Sequence, residues 1–260
     1  MRVPVVQQHR RRRRALRRRV LWTGGEVLVT AGVVLLLLVV QQLWWTNREA
    51  RRGAERQVQA LERQWGASTS ASPATPGARD GGSPAADSTA SGGSSPRRTT
   101  TTGNTLTPRP SQAYAILVIP RLHLRVPIAE GVSKRNVLDK GYVGHYPGTQ
   151  QPGQEGNFAL AGHRNTHGEP FRYLPRLRLK DTVQVETGTA VYTYTVDKIL
   201  PRTSAADSGV IRPIPRSLVK PSYGYRTPGH YITLTTCTPE FTSRYRMAVW
   251  GTLTSTRPRA

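Results

Sequence analysis

Cysteine is almost absent from this chain of 260 residues, since Cys237 is the only one. A single cysteine excludes an intramolecular disulfide framework, and it leaves too few thiolates for a typical structural zinc site. A lone cysteine is most often a small buried hydrophobe. Whether this thiol is inert or reactive therefore depends on the residues around it.

Acidic residues are also scarce, because 15 Asp and Glu face 38 Lys and Arg, for a net charge of +23. Residues 1–110 hold 18 basic and 6 acidic residues, and residues 111–260 hold 20 and 9. The basic second part suits an anionic partner such as a membrane face, a wall polymer or nucleic acid. No nucleic-acid-binding motif accompanies the charge, so nucleic acid is not expected as a partner.

Long apolar runs are missing except near the N-terminus, where residues 26–46 predict a transmembrane anchor. The apolar stretch is long enough to cross a bilayer, which takes roughly 20 residues, and it closes with Trp44 and Trp45 at the expected interface. Residues 1–25 carry nine arginines, so this tail is expected to stay cytoplasmic with the rest of the chain outside.

A cleaved signal peptide is the alternative interpretation of this run. Such a peptide has a shorter apolar core followed by small residues at the cleavage site. Here the run ends in Gln41–Trp45, which offers no such residues. An uncleaved anchor is therefore the preferred prediction.

Two segments without core-forming patterns follow the anchor. Residues 47–65 predict a charged juxtamembrane helix with no apolar stripe wide enough for a core. Residues 66–111 are dominated by Ser, Thr, Gly, Pro and Ala, which predicts a disordered linker. A flexible linker of this length would let the following domain lie some ~40 Å from the membrane.

The folded part is predicted to be residues 112–256, with 257–260 as a tail. It shows no long helical period and no internal repeat, and a helical turn is expected only at Asn136–Lys140. Short stretches of strand-forming residues separated by Gly, Pro or Asp predict an all-β barrel or sandwich. The predicted strands are Ala115–Ile119, Leu124–Ile128, Asn157–Ala161, Thr182–Glu186, Val191–Ile199, His230–Thr235 and Tyr245–Leu253.

Chemistry-bearing residues lie at the ends of these strands. Cys237 ends the strand-like run that begins at Ile232, and a nucleophile at a strand end is held rigidly yet is exposed. A thiol attacks as thiolate, a form that a cationic neighbour favours. His163 also ends a predicted strand, and Arg244 and Arg246 belong to the next strand after the cysteine.

At these positions the sequence resembles the sortase family. Thr233–Cys237 is similar to the sortase T-L-x-T-C signature, Gly156–Arg164 resembles the segment that carries the family's histidine, and Gly144–Gly148 resembles its G-H-Y-P-G turn. The resemblance covers residues 112–256, and the Cys-Thr-Pro continuation is most similar to class E. Thr238 departs from the histidine associated with that class.

The resemblance implies a closed eight-stranded β-barrel with short helices, and transpeptidation at a Leu-Pro-x-Thr-Gly-like signal, Leu-Ala-x-Thr-Gly in class E. Cys237 would form a thioester with the threonine carbonyl. His163 would protonate the leaving amine and then deprotonate an acceptor amine of the wall precursor. Arg246 would bind the substrate and the oxyanion, with Thr236 lining that hole. Partners would be surface proteins bearing the signal and the wall precursor.

Several assignments stay open at this point. Arg244 and Arg246 lie two apart, so strand alternation does not separate them; the spacing of Arg246 from the cysteine resembles class E. His145 is expected to be structural, with a catalytic role as the alternative. Tyr146 would either shape the substrate pocket or pack.

No metal or cofactor is expected. His163 and His167 are four residues apart, but such a pair chelates well only on a helix, and Gly162 and Gly168 predict a loop. The acidic residues around them are scattered: Glu130, Asp139 and Glu155.

Two other functions remain compatible with the residues. The same scaffold would serve a cysteine peptidase that releases its acyl-enzyme to water, since the catalytic residues do not determine whether the acceptor is an amine or water. A non-enzymatic wall-binding module would rely on the basic charge alone.

Overall fold

The computed structural model describes residues 7–70 and 108–259. The beginning of the predicted tail 1–25 and most of the predicted linker 66–111 lie outside the described residues. The described part consists of one long helix and one barrel of eight strands.

Helix α1 runs without interruption over Gln7–Ser70. From Gly24 it contains one stretch long and apolar enough to cross a membrane by length and composition. The large apolar side chains between Val27 and Val40 are all at least half exposed, on every side of the helix. A helix that is apolar all round and has no protein partner there fits a membrane anchor. The exact limits of the span stay predictions.

The strands close into a barrel in the order β1-β2-β3-β4-β7-β8-β6-β5, with β5 pairing back onto β1. Of the pairs of neighbouring strands, β2–β3 and β4–β7 are parallel, and the others are antiparallel. The strands are β1 Ala113–Ile119, β2 Leu124–Glu130, β3 Val143–His145, β4 Gly156–Ala161, β5 Thr182–Glu186, β6 Ala190–Ser204, β7 His230–Thr238 and β8 Tyr245–Pro258.

The prediction of a closed eight-stranded barrel is confirmed. Seven strands overlap the predicted ones, but Val143–His145 was missed, because three residues are too few to show alternation. A 3-10 helix, Leu138–Lys140, forms within the predicted helical turn. Strand β8 continues to Pro258, two residues into the predicted tail, since Arg257 pairs with Val191.

The barrel interior is filled by alternate residues of all eight strands. This spacing of two is what a strand with one inward face produces. The inward residues are Ala115, Leu117, Ile119, Val126, Ile128, Val143, Phe158, Leu160, Val183, Val185, Tyr194, Val196, Ile232, Leu234, Met247 and Val249.

Strands β7 and β8 are covered on the outside as well. Trp250 and Tyr231 pack with Val210 of a 3-10 helix, Ser208–Ile211, and the Trp250 indole donates to the Val210 carbonyl at 3.1 Å. The strand that carries Cys237 is therefore sandwiched between two apolar layers. Such burial holds a strand end in a fixed position.

Asp207 anchors this outer cover. Burial opposes its charge, but Ser217, Thr203 and the backbone N–H of Leu218 donate to its carboxylate, and together with the N–H of Val219 they hold the pKa of Asp207 below its usual range. Donors that favour the charged form outweigh the cost of burial here.

The second half of α1 packs against the barrel, contrary to the prediction of a helix without a core-forming stripe. Ala50, Ala54, Val58 and Leu61 are all less than 10% exposed. Their spacing of four, four and three residues forms one narrow face. Val58 and Leu61 pack on Ile116 of β1.

Polar contacts extend this docking along the helix. Arg125 of β2 forms an ion pair with Glu62 and a bidentate ion pair with Glu186. Arg51 forms an ion pair with Glu169 at 2.9 Å. Two of the four apolar residues are alanines surrounded by Arg and Glu, which is why the stripe is weak in the sequence. The barrel is therefore held by this helix, not only through the linker.

We predict that Leu61→Asp detaches this half of α1. Burial of a leucine side chain contributes about 1.5–3 kcal/mol, and an unpaired carboxylate in its place adds a desolvation cost. In the full chain in detergent micelles, limited trypsin digestion should accelerate at Arg52 and Arg56. Ala60→Asp, on the exposed side of the same turn, is the matched control and should leave cleavage slow. Equal cleavage of the two variants would contradict the docking.

Candidate active site

Strands β4 and β7 bring His163 and Cys237 to the same edge of the barrel. They pair in parallel from Gly156↔His230 to Ala161↔Thr235, and the Gly162 N–H continues the ladder to the Thr235 carbonyl at 3.1 Å. The pairing ends at Ala161 and Thr235, two residues short of both His163 and Cys237. Parallel strands end at one edge, so both residues leave the barrel together.

Buried side chains fix the register of this pair. The Thr233 hydroxyl donates to Asn157 Oδ1 at 2.7 Å, and the Thr235 hydroxyl donates to the Leu160 carbonyl at 3.0 Å. Because all of these atoms are buried, a slip by one residue would leave them unpaired. The register of β4 against β7 is therefore strongly specified.

Gly162 is required by close packing. A Cβ at this position would lie 2.6 Å from the ring of Phe171. The backbone turns here, and the His163 carbonyl accepts from the Phe171 N–H at 2.9 Å. The glycine lets the chain pass over the aromatic ring and aims His163 along the barrel edge.

Cys237 is half-buried, with a free thiol, near the end of β7. Strand β8 returns antiparallel, and Arg246 is the residue directly opposite Cys237. Directly opposite residues on neighbouring antiparallel strands share a face. The thiol and the guanidinium therefore belong to one surface of the sheet.

The structure separates the two arginines that alternation could not. Arg246 lies inside β8 and is partly buried, and its Nη1 donates to the carbonyls of Ser243 and Tyr245 at 2.8 and 3.1 Å. Arg244 precedes the first residue of β8, is exposed, and lies over the Tyr245 ring at 5.2 Å. Only Arg246 is paired with the cysteine across the sheet.

Arg164 is a site residue that the sequence analysis missed. Its Nη1 donates to the Cys237 carbonyl at 3.2 Å and to the Thr238 hydroxyl at 3.0 Å. It thereby ties the segment after His163 to the end of β7. In the sequence, the signal that could have identified Arg164 was its position directly after His163, at the end of a predicted strand. Arg164 thus bonds to the backbone of Cys237, and Arg246 is the partner of Cys237 across the sheet.

His163 has a carboxylate partner that the sequence did not single out. Its Nε2 lies 2.8 Å from Asp139 Oδ1, in the 3-10 helix Leu138–Lys140. His167 stacks against His163 with ring centroids 5.4 Å apart. The chain separation of 24 residues from Asp139 to His163 carries no periodic pattern, which is why this contact was not predicted.

His145 lies in a buried polar cluster and is 1% exposed. Its Nδ1 contacts Glu130 at 2.7 Å and the Tyr114 hydroxyl at 3.1 Å, and its Nε2 contacts the Thr149 hydroxyl at 2.9 Å. Burial, and next the charge of Glu130, raises the pKa of Tyr114. Both ring nitrogens are engaged, which supports the structural interpretation of this histidine.

Thr236 and Tyr146 lie next to the paired strands. The buried Thr236 hydroxyl donates to the Gly162 carbonyl at 2.8 Å. The half-buried Tyr146 hydroxyl contacts the Thr235 hydroxyl at 3.1 Å. Both bonds brace the strand ends that carry the histidine and the cysteine. Direct contact of either residue with a substrate stays a prediction.

The chain is similar to known proteins over most of the barrel. The family model of the sortase domain matches its residues 117–254. Sortase SrtE1 from Streptomyces coelicolor is 51% identical over 156 residues, which cover 58% of this chain and 43% of that protein. Sortase SrtE2 from the same organism is 37% identical over 134 residues, covering 50% and 51%. The chain thus spans about half the length of these curated relatives.

Solved structures agree with the sequence comparison. The crystal structure of sortase E1 from Streptomyces coelicolor, with a tripeptide in its active site, is 51% identical and has a TM-score of 0.55, covering 59% of this chain and 94% of that chain. Sortase E from Streptomyces avermitilis is 40% identical, with a TM-score of 0.51 and coverage of 57% and 92%. With a family model that matches over half of its residues, the chain belongs to the sortase family and resembles its class E members.

Proposed function

We propose that this protein is a membrane-anchored cysteine transpeptidase that transfers surface proteins to an amine of the cell-wall precursor. The observation that supports this proposal is that β4 and β7 pair in parallel to within two residues of His163 and Cys237, with Arg246 directly opposite Cys237. A nucleophile, an acid–base group and a fixed cation at one barrel edge are the parts that acyl transfer needs.

The first half-reaction forms a thioester. The Cys237 sulfur attacks the threonine carbonyl of a Leu-Pro-x-Thr-Gly-like or Leu-Ala-x-Thr-Gly-like signal, and the carbonyl oxygen takes up negative charge. Arg246 stabilises that oxygen, because its cation does not need to reorient during the reaction. The threonine–glycine bond then breaks, and His163 gives a proton to the departing glycine amine.

The second half-reaction releases the product. The acceptor amine attacks the thioester carbonyl, His163 takes the proton that the amine loses, and the carbon–sulfur bond breaks to restore the thiolate. Attack by water in place of the amine would give a peptidase. The ratio of amine product to hydrolysed product distinguishes these two activities.

The proposed location follows from α1. Its exposed apolar stretch would lie in the bilayer, with the arginine-rich N-terminal side in the cytoplasm and the barrel outside. Because the docked half of α1 continues directly from this stretch, the barrel would lie close to the outer membrane face. That is where surface proteins in transit and lipid-linked wall precursors would be met.

Cys237→Ala should abolish the reaction. With a sorting-signal peptide and an amine acceptor, the full chain should accumulate a peptide adduct on Cys237 that hydroxylamine removes. In Cys237→Ala we expect no adduct and a rate at least roughly 10³-fold lower, since the nucleophile is gone. Unchanged circular dichroism would show that the barrel remains folded. Full activity of this variant would overturn the enzymatic proposal in favour of a binding module.

Arg246→Ala and Arg244→Ala form a matched pair two residues apart. Loss of one oxyanion donor costs about 10²–10³ in kcat, so Arg246→Ala should fall by that amount. Arg244→Ala should keep the kcat and KM of the parent, because its side chain lies beyond the strand. Arg246→Lys should not restore the rate, since an ammonium lacks the planar fork of donors. Equal losses in both alanine variants would remove Arg246 from the proposed role.

A further inference from the structure

We infer that Asp139, His163 and His167 form a binding site for Zn²⁺ or a closely similar divalent transition metal. The spacing of the two histidines argues against chelation, because the segment between them is not helical. The loop nevertheless stacks their rings and sets Asp139 against both of them. One ligand atom from each of the three residues lies within 4.8 Å of the other two, and Asp139 Oδ1 lies 2.8 Å from His163 Nε2 and 3.6 Å from His167 Nδ1.

An unsatisfied nitrogen points into this cluster. His167 Nδ1 is shielded from solvent and has no hydrogen-bond partner among the described residues. Its distance to Asp139 Oδ1 is 3.6 Å, which is too long for a hydrogen bond. A buried polar atom without a partner costs free energy. A metal ion between the carboxylate and the two imidazoles would give this nitrogen a ligand bond.

The ligand set fits zinc by chemistry and by distance. Zinc takes His nitrogen and carboxylate oxygen at about 2.0–2.2 Å in tetrahedral sites, so neighbouring ligand atoms lie roughly 3.4 Å apart. The 3.6 Å separation already matches, and the 2.8 Å contact between Asp139 and His163 has to widen slightly. Two nitrogens and one carboxylate make a poor site for Ca²⁺ or Mg²⁺, which prefer oxygen ligands.

The loop that carries the ligands is held by α1. The Gly168 N–H donates to Asn47 Oδ1 at 3.2 Å, and Arg51 Nε donates to the Gly168 carbonyl at 3.1 Å. Gly168 follows His167 directly, so the backbone beside this ligand is fixed from outside the barrel. A site whose supporting groups are already bonded binds a metal with less loss of freedom.

Metal binding would inhibit the enzyme, a consequence that rests on the proposed function. A lone pair of His163 Nε2 shared with the metal cannot hold or release a proton. The thiol of Cys237 is not part of the site, so the metal would inhibit peptide transfer by occupying the acid–base histidine and not by binding the nucleophile. Removal of the metal restores the histidine.

Metal binding is tested first without reference to activity. The Cys237→Ala chain, purified in detergent through a tag without histidine, is titrated with Zn²⁺ against a chromophoric chelator. We expect one Zn²⁺ per chain that excess Ca²⁺ does not displace. His167→Ala and Asp139→Ala in this background should each weaken binding by roughly tenfold or more, the scale of loss seen even for groups that only orient ligands.

His230→Ala is the matched control, because His230 is exposed and its Nδ1 contacts only the Gly153 carbonyl among the described residues. This variant should bind Zn²⁺ as the parent does. No binding of Zn²⁺ to the Cys237→Ala chain would overturn the site, because the three inferred ligands are intact in that variant. Unchanged affinity in His167→Ala would overturn it as well.

Inhibition by the metal is tested on the chain with its cysteine intact. Zn²⁺ should lower peptide transfer, a chelator should restore it, and His167→Ala should need at least roughly tenfold more Zn²⁺ for the same inhibition. Equal inhibition of His167→Ala and the parent would overturn the regulatory role. Binding decides for or against the site even in a chain that transfers no peptide, so failure of the proposed function would be distinguished from failure of the site.

Discussion

The parallel pairing of β4 with β7 is the constraint on which the site depends. These strands are separated by about 70 residues of chain, yet their ends meet because parallel neighbours point to the same barrel edge. Buried threonine and asparagine bonds fix the register. A shift by one residue would turn every inward side chain outward and would separate the histidine from the cysteine.

The charges around Cys237 follow from the same arrangement. Arg246 comes from β8, directly across the sheet, and Arg164 comes from the segment that follows β4. Both are therefore positioned by backbone pairing and not by long flexible segments. Cationic residues held by the backbone around Cys237 suit a reaction in which negative charge moves from sulfur to a carbonyl oxygen. The overall basic composition is less informative than this local placement.

Helix α1 links the exposed apolar stretch to the histidine loop. Its docked half packs on β1 through apolar residues and contacts β2 through the ion pair of Glu62 with Arg125. Asn47 and Arg51 bond to Gly168 and Glu169 in the loop after His163. A flexible linker alone would leave the domain free to reorient. The docked helix instead fixes the orientation of the barrel relative to the exposed apolar stretch, and it supports the loop that holds two of the three inferred metal ligands.

The sequence by itself determined the barrel strands, the apolar run of α1 and the ends at which His163 and Cys237 lie. Alternation with a period of two and strand-end motifs are local patterns, so a linear chain displays them. Strand β3 was too short to display any. The helix stripe was hidden because two of its four apolar residues are small alanines surrounded by charged residues.

Only the tertiary structure decided how distant residues meet. It set Asp139 and His167 against His163, bonded Arg164 to the Cys237 carbonyl, and paired Arg246 with Cys237 across the sheet while Arg244 precedes the strand. These contacts join residues from separate elements whose spacing in the chain follows no period. Their geometry is fixed by barrel closure and packing, which depend on the whole fold and not on any one segment.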